Sequence, residues 1–134
     1  MPETRIRDAA TFLGVSDDTV RRWIDNGTLT AQVDDSGRKV IDGKALAQFA
    51  RSSAHSMPDP SGVAGSARNR FVGIVTDVVM DKVMAQVELQ CGPFRVVSLM
   101  SSEAARELGL EPGSVAVAVI KSTNVIVETP GGES

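Results

Sequence analysis

The chain has 134 residues, 42% of them hydrophobic, and a formal net charge of −3, which excludes a disordered polar chain and allows one domain or two small ones. Its single cysteine and single histidine, Cys91 and His55, exclude an internal disulfide, a CxxC metal site and a His-based catalytic triad. Because no apolar run approaches the length of a membrane span and no signal peptide is evident, we expect a cytoplasmic protein without membrane contact.

The first 27 residues have the pattern of two short helices joined by a tight turn. Apolar residues recur at helical spacing from Ile6 to Leu13, and Gly14 is a natural helix stop. A second helix is predicted between Ser16, a good N-cap, and Gly27. Its apolar face comprises Val20, Trp23 and Ile24.

Two strand-like runs follow, over residues 29–33 and 38–41, with the turn cluster Asp34–Gly37 between them. A closing helix is predicted over residues 42–51. Its core-facing residues would be Leu46, Phe49 and Ala50. The segment LGVSDDTVRRWIDNGTL resembles the MerR and excisionase class of winged helix-turn-helix domains, and the resemblance assigns residues 1–51 to such a DNA-binding domain.

The resemblance implies that the second helix and the wing contact double-stranded DNA. The wing would be the two strand-like runs over residues 29–33 and 38–41 with the turn between them. The expected contacts come from polar residues of these two elements: Arg21, Arg22, Thr19, Asp18, Arg38 and Lys39. A solvated helix face is the alternative interpretation of the arginine pair, and Asp18 would either repel phosphate or accept from cytosine N4. Residues 1–56 carry eight cationic and eight acidic side chains, so DNA affinity requires local clustering or oligomerisation.

Residues 52–65 are rich in Ser, Pro and Gly and lack apolar periodicity, which predicts a flexible linker in which His55 is a solvated residue. Beyond Arg70 the apolar period changes to two, and one short helix is predicted over residues 102–108 with Ser101 as its cap. Five strands are predicted, over residues 71–79, 83–91, 94–99, 114–121 and 124–128. The expected fold class is therefore α+β in two domains, the second an OB-like five-stranded barrel over residues 66–130, with 131–134 as a tail.

Two polar segments, Ser66-Ala67-Arg68-Asn69 and Lys121-Ser122-Thr123-Asn124, flank the β-rich stretch. Each combines hydroxyl or amide groups with one cation and contains no carboxylate, which suits a small dianion. The pair resembles the Mop (molbindin, TOBE-type) domain, in which SARN opens the domain and a lysine followed by Ser or Ala, then Thr, closes it. The resemblance implies a molybdate or tungstate ligand bound between the subunits of a homo-oligomer.

The candidate oxyanion-binding residues supply hydroxyls, backbone N–H groups and positive charge: Lys121, Ser66, Arg68, Ser122, Ser101 and Ala67. Unpaired N–H groups of Ser102 and Glu103 are expected to add the positive end of a helix. Family members often carry a second hydroxyl where this chain has Ala104. Without the resemblance, the same residues would be a capped helix, a surface lysine and polar strand ends, and no metal cation is expected.

These features predict a molybdate- or tungstate-responsive DNA-binding transcriptional regulator. One alternative is a DNA-binding protein whose β domain only oligomerises, which Ala104 favours and the intact SARN and Lys121 segments oppose. The other alternative is an oxyanion storage protein whose helix-turn-helix domain no longer binds DNA. The cations Arg21 and Arg22 argue against this alternative. No nucleophile has a base partner and no Gly-rich phosphate loop precedes a helix, so neither an enzyme nor a catalytic cofactor is expected.

Overall fold

The computed structural model describes residues 2–54, 58–62 and 64–130, which fall into two compact units, Met1–Ser56 and Met57–Ser134. His55 and the predicted tail, residues 131–134, lie outside the described residues. The elements of the first unit are β1 (Glu3–Arg5), α1 (Ile6–Leu13), α2 (Asp17–Asp25), β2 (Ala31–Val33), β3 (Lys39–Asp42) and α3 (Gly43–Ser53). Those of the second are β4 (Asn69–Met80), β5 (Met84–Cys91), β6 (Phe94–Ser101), α4 (Ser102–Glu107), β7 (Val115–Ile120) and a 3-10 turn, Ser122–Asn124.

The boundaries of the two predicted N-terminal helices are confirmed, together with their capping residues. Gly14 ends α1 in the left-handed conformation, with φ of 70°, where a residue with a Cβ would be strained. The Ser16 hydroxyl accepts a hydrogen bond from the Thr19 N–H at 3.1 Å and thereby caps α2. The helix-turn-helix geometry therefore follows from local sequence signals.

A three-stranded antiparallel sheet in the order β1-β3-β2 packs with these helices. The short strand β1 was not predicted, because three residues are too few to show a period-two pattern. The core of the unit comprises Ile6, Ala9, Ala10, Val20, Leu29, Ile41 and Leu46. Trp23 and Phe49 pack against this core with their ring centroids 5.0 Å apart, whereas Ala50 is exposed and was wrongly assigned to the core.

The second unit is a curled antiparallel sheet in the order β6-β5-β4-β7, with an OB-like fold. Its buried core comprises Val75, Val87, Leu89 and Cys91. The register between β4 and β5 shifts between Val75 and Asp77, and such a bulge increases the local bend of a strand. Gly73 lets β4 approach β5 closely, since a Cβ there would lie 2.5 Å from the Cys91 Sγ.

The predicted fifth strand, residues 124–128, is not formed, so the described part of the chain contains a four-stranded sheet rather than a five-stranded barrel. The 3-10 turn after Lys121 breaks the extended chain, with the Asn124 N–H donating to the Lys121 carbonyl at 2.9 Å. Val125, Ile126 and Val127 are exposed and pair with no strand among the described residues. Alternating apolar sequence is insufficient here, because a strand also needs a neighbouring edge to complete its hydrogen bonds.

The predicted helix after β6 is present as α4, and its cap is confirmed. The Ser101 hydroxyl accepts from the Ala104 N–H at 3.0 Å. Ser102 is buried, and its N–H and hydroxyl donate to the carbonyls of Val83 and Lys82 at 2.8 and 2.9 Å. The first turn of α4 is therefore fixed to the β4–β5 turn.

Within the second unit, the segment before β4 is held to that strand by an ion pair. The Arg70 Nε lies 2.6 Å from the Asp59 Oδ2, and another guanidinium nitrogen donates to the Ser61 hydroxyl at 2.7 Å. These hydrogen bonds from Arg70 and Ser61 hold the pKa of Asp59 well below its ordinary value. Among the described residues, no helix is both long and apolar enough to cross a membrane.

Candidate functional sites

The two segments predicted to bind an oxyanion lie side by side in the second unit. β4 and β7 are antiparallel neighbours, and their register places Asn69, the last SARN residue, opposite Ile120. The Asn69 side-chain amide donates to the Ile120 carbonyl at 3.1 Å. Arg68 immediately precedes β4 and Lys121 immediately follows β7, so the strand pair brings both cations to one edge of the sheet.

The cations at this edge are exposed and are not neutralised by nearby carboxylates. Neither Arg68 nor Lys121 forms an ion pair with any described residue. One Arg68 nitrogen donates to the Ser66 carbonyl at 3.2 Å, which orients the guanidinium along the SARN loop and leaves other N–H donors. Ser66 and Ser122 are exposed and Ala67 is half-buried, so their donors can face a small ligand.

Ser101 is not brought together with this edge by a single chain. A groove of about 660 Å³ includes Ser66 and Ala67, and Leu108 and Leu110 line it, but Ser101 is not among its described lining residues. Ser101 is the N-cap that precedes α4, and it pairs with Met84 near the last residues of β4, whereas the SARN segment leads into the first residue of β4. Within one chain, the predicted set is therefore divided between two places.

The expectation of unpaired N–H groups at the start of α4 is wrong for Ser102, because its N–H donates to Val83. The Ser101 hydroxyl retains its own proton, because the helix cap uses it only as an acceptor. Ser101 thus still provides one hydroxyl donor for an anion. Ala104 contributes only its backbone N–H to the cap.

The first unit contains a cationic groove of about 450 Å³ where β1, α1, α2 and β3 meet. Its lining residues are Arg5, Ile6, Arg7, Asp8, Asp17, Arg21, Arg38 and Lys39. Three of the residues predicted to contact DNA, Arg21, Arg38 and Lys39, therefore share one surface. Arg5 and Arg7 were not predicted to belong to this surface. Their position follows from β1, which precedes α1 directly, and a prediction of β1 would have placed them in the groove.

The other predicted DNA contacts lie around this groove. Arg22 is exposed on α2 but does not line the groove. The Thr19 hydroxyl is 3.0 Å from the Ser16 hydroxyl and belongs to the helix cap. Asp18 is exposed, with its Oδ1 3.8 Å from an Arg21 guanidinium nitrogen, so it lowers the local positive charge.

The turn between β2 and β3 is organised by Asp34. Its Oδ1 accepts from the N–H groups of Ser36 and Arg38, both at 2.9 Å. The hydrogen bond from the Arg38 backbone is the largest cause that lowers the pKa of Asp34, and the charges of Arg38 and Arg5 act in the same direction. These bonds fix the backbone that presents Arg38 and Lys39.

The described residues include no group of three or more His, Cys, Asp or Glu side chains arranged to hold a metal ion. Cys91 is buried, and burial raises the pKa of its thiol, as expected of a packed core residue. The fold and the placement of polar residues thus define a protein with a helix-turn-helix unit and an OB-like unit that carries exposed cationic and hydroxyl side chains.

Comparison with known proteins identifies both units. Residues 65–127 match the TOBE domain, and residues 5–54 match a helix-turn-helix domain. Molybdenum-pterin-binding protein 3 of Clostridium pasteurianum is 40% identical over 63 residues, which cover 46% of this chain and 93% of that protein. This chain belongs to the TOBE-domain family of molybdenum-pterin-binding proteins, and in it a helix-turn-helix domain precedes the TOBE domain.

Two further relatives resemble part of this chain. The molybdenum transport protein ModE of Herbaspirillum seropedicae is 38% identical over 65 residues, 48% of this chain but only 24% of ModE. The solved structure of a molybdate binding protein from Sporomusa ovata is 25% identical and covers 50% of this chain and 100% of that protein, with a TM-score of 0.48. The similarity to ModE thus extends over about half of the present chain.

Proposed function

We propose that this protein is a DNA-binding transcriptional regulator that responds to molybdate or tungstate. The observation that carries the proposal is the pairing of β4 with β7, which joins the SARN and Lys121 segments at one edge in a chain that also has a helix-turn-helix domain. The names of the TOBE-domain relatives from Clostridium pasteurianum and Herbaspirillum seropedicae, which refer to molybdenum, support the choice of ligand.

The chemistry of the edge suits a tetrahedral dianion. Molybdate offers only acceptor oxygens, and the proposed ligands offer only donors and positive charge. Lys121 and Arg68 supply the charge, while Ser66, Ser122 and the Ala67 N–H supply further hydrogen bonds. Asp59, the carboxylate held near this segment, is already paired with Arg70 and so opposes an anion less than an unpaired carboxylate would.

We propose that a second copy of the chain completes the site. Ser101 lies at the far end of α4 from the SARN groove, so a partner's helix start would have to approach the Lys121 edge. The unit also exposes many apolar side chains, among them Leu99, Ile126 and Val127. Burying such a surface between copies would stabilise a domain whose own core is small. Sedimentation should therefore show a homo-oligomer, and a monomer at micromolar concentration would contradict the shared site.

Two coupled equilibria would link the ligand to DNA. Oxyanion bound between subunits would stabilise one oligomeric arrangement, and that arrangement would set the spacing of the helix-turn-helix units and their affinity for double-stranded DNA. The proposal places the protein in the cytoplasm, where it can meet both DNA and the oxyanion. It also assigns residues 52–65 as the connection between domains 1–51 and 66–130.

The two alternative functions differ in which ligand the protein still binds, DNA or the oxyanion. A DNA-binding protein whose β domain only oligomerises would bind DNA but no oxyanion, and a storage protein would bind oxyanion but no DNA. Ala104 favours the first, whereas the cationic groove of the first unit opposes the second.

Calorimetric titration of the purified chain with molybdate, tungstate and sulfate tests the ligand. We expect molybdate or tungstate to bind and to raise the melting temperature, because a ligand that binds only the native state stabilises it. Sulfate should have a weaker effect because it is smaller for the same cavity. No heat and no shift in melting temperature at saturating oxyanion would reject the sensor and favour the oligomerising alternative.

A further inference from the structure

The cations of the first unit are concentrated in one place although the unit as a whole has balanced charge. Residues 1–56 contain eight cationic and eight acidic side chains. The groove at the junction of β1, α1, α2 and β3 collects five of those cations, Arg5, Arg7, Arg21, Arg38 and Lys39, but only two of the carboxylates. This is the local clustering that a neutral domain needs if it is to attract a polyanion.

Two of the five cations are paired with carboxylates that do not line the groove: Arg21 with Asp18 and Arg38 with Asp34, each at 3.8 Å. Asp8 and Asp17 line it, yet neither forms an ion pair with a described side chain. Arg5, Arg7 and Lys39 likewise have no ion-pair partner in the described part of the chain. The groove has a volume of about 450 Å³, so the cations surround open space rather than packed side chains.

We propose that Arg5 and Arg7, at the junction of β1 and α1, complete a binding groove for a phosphate of the DNA backbone. This inference rests on the proposed DNA-binding function. It adds a third element to α2, the proposed recognition helix, and the β2–β3 hairpin. Because Arg21 on α2 and Arg38 beside the hairpin turn line the same groove, one strand of phosphates can reach all three elements.

The proposed role is positioning and not the reading of bases. Phosphate contacts fix the register and orientation of a protein on the duplex and carry no sequence information directly. Arg5 and Arg7 lie beside the recognition helix rather than on it, so their removal should weaken binding to specific and random DNA by the same factor. Arg22, which lies on α2 outside the groove, is expected instead to affect sequence preference.

The variants Arg5→Gln and Arg7→Gln test this assignment. Fluorescence anisotropy would measure the affinity of each full-length variant for specific and random duplexes over a series of salt concentrations. Removal of one cation that binds a phosphate should reduce the salt slope by about 0.9, so a fourfold rise in salt should weaken the variant about 3.5-fold less than the parent. Arg51→Gln, an exposed cation on α3 outside the groove, is the matched control and should leave the slope unchanged. Asp8→Asn should tighten binding, because it removes negative charge from the groove.

Arg7→Lys keeps the charge and should restore most of the affinity, and unchanged melting temperatures will show that the variants fold. If the parent binds DNA and both glutamine variants keep its affinity and salt slope, Arg5 and Arg7 do not bind a DNA phosphate. That result would leave the proposed function standing. Failure of the parent to bind any DNA would overturn both. If inorganic phosphate stabilises the parent but not Arg7→Gln, and DNA binding is equal in the two, the groove is a site for free anions and the assignment to DNA is wrong.

Discussion

Replacement of Lys121 with Ala should weaken oxyanion binding strongly while changing the free energy of unfolding very little. The side chain is exposed and has no ion-pair partner among the described residues, so its loss should change the free energy of unfolding by no more than about 0.5 kcal/mol. As a charge-assisted donor to molybdate, however, it should contribute about 1.5–3 kcal/mol to binding. That range corresponds to a rise in the dissociation constant of roughly 12- to 150-fold.

Calorimetry with molybdate measures the change in affinity, and thermal unfolding without ligand measures the change in stability. Lys44→Ala, an exposed lysine on α3 in the other unit, is the control and should bind molybdate like the parent. Lys121→Arg retains the charge and should lose less affinity than Lys121→Ala. If Lys121→Ala binds with the parent's affinity, the Lys121 edge is not the oxyanion site.

Three further predictions concern the scaffold around the sites. Ser101→Ala removes the α4 cap and should lower the unfolding free energy by about 1 kcal/mol in urea while also weakening molybdate binding; an unchanged midpoint would contradict the cap. Gly73→Ala places a Cβ 2.5 Å from the Cys91 Sγ and should cost about 1–3 kcal/mol, whereas Gly65→Ala, with no atom within 4 Å, should not lower the melting temperature. Folding lowers the pKa of Asp34, so the ionised carboxylate stabilises the fold above its ordinary pKa of 3.8, and this stabilisation is lost as the pH falls below that value. Asp34→Ala should therefore show a weaker decrease of the melting temperature with acid than the parent. The same decrease in both proteins would refute the role of Asp34.

Much of the fold was predictable because its signals are local. Gly14 and the Ser16 cap delimit α1 and α2, and the Ser101 cap delimits the start of α4. The Pro112-Gly113 turn is equally local, with φ of 97° at Gly113 and the Ser114 N–H donating to the Glu111 carbonyl at 2.9 Å. Each of these features depends on residues that are near neighbours in the chain.

The errors occurred where the partner of a segment lies far away in the sequence. β1 exists because residues 3–5 pair with β3, where Glu3 lies opposite Asp42 and Arg5 opposite Val40, and nothing in the three residues themselves indicates it. Conversely, residues 124–128 have an apolar strand pattern but no partner in the described chain. The motif residues were predicted from a resemblance, whereas the joint placement of Arg5 and Arg7 with Arg38 depends on that same long-range pairing of β1 with β3.

The central claim is that oxyanion occupancy changes DNA affinity, and the most direct test compares one duplex under two conditions. A binding sequence selected from genomic fragments with the full-length protein would be titrated by anisotropy at constant ionic strength, without oxyanion and with saturating molybdate. We expect the dissociation constants to differ by roughly 5- to 150-fold, the range typical of allosteric coupling. Equal dissociation constants, measured with protein that calorimetry shows to be saturated with molybdate, would contradict the claim.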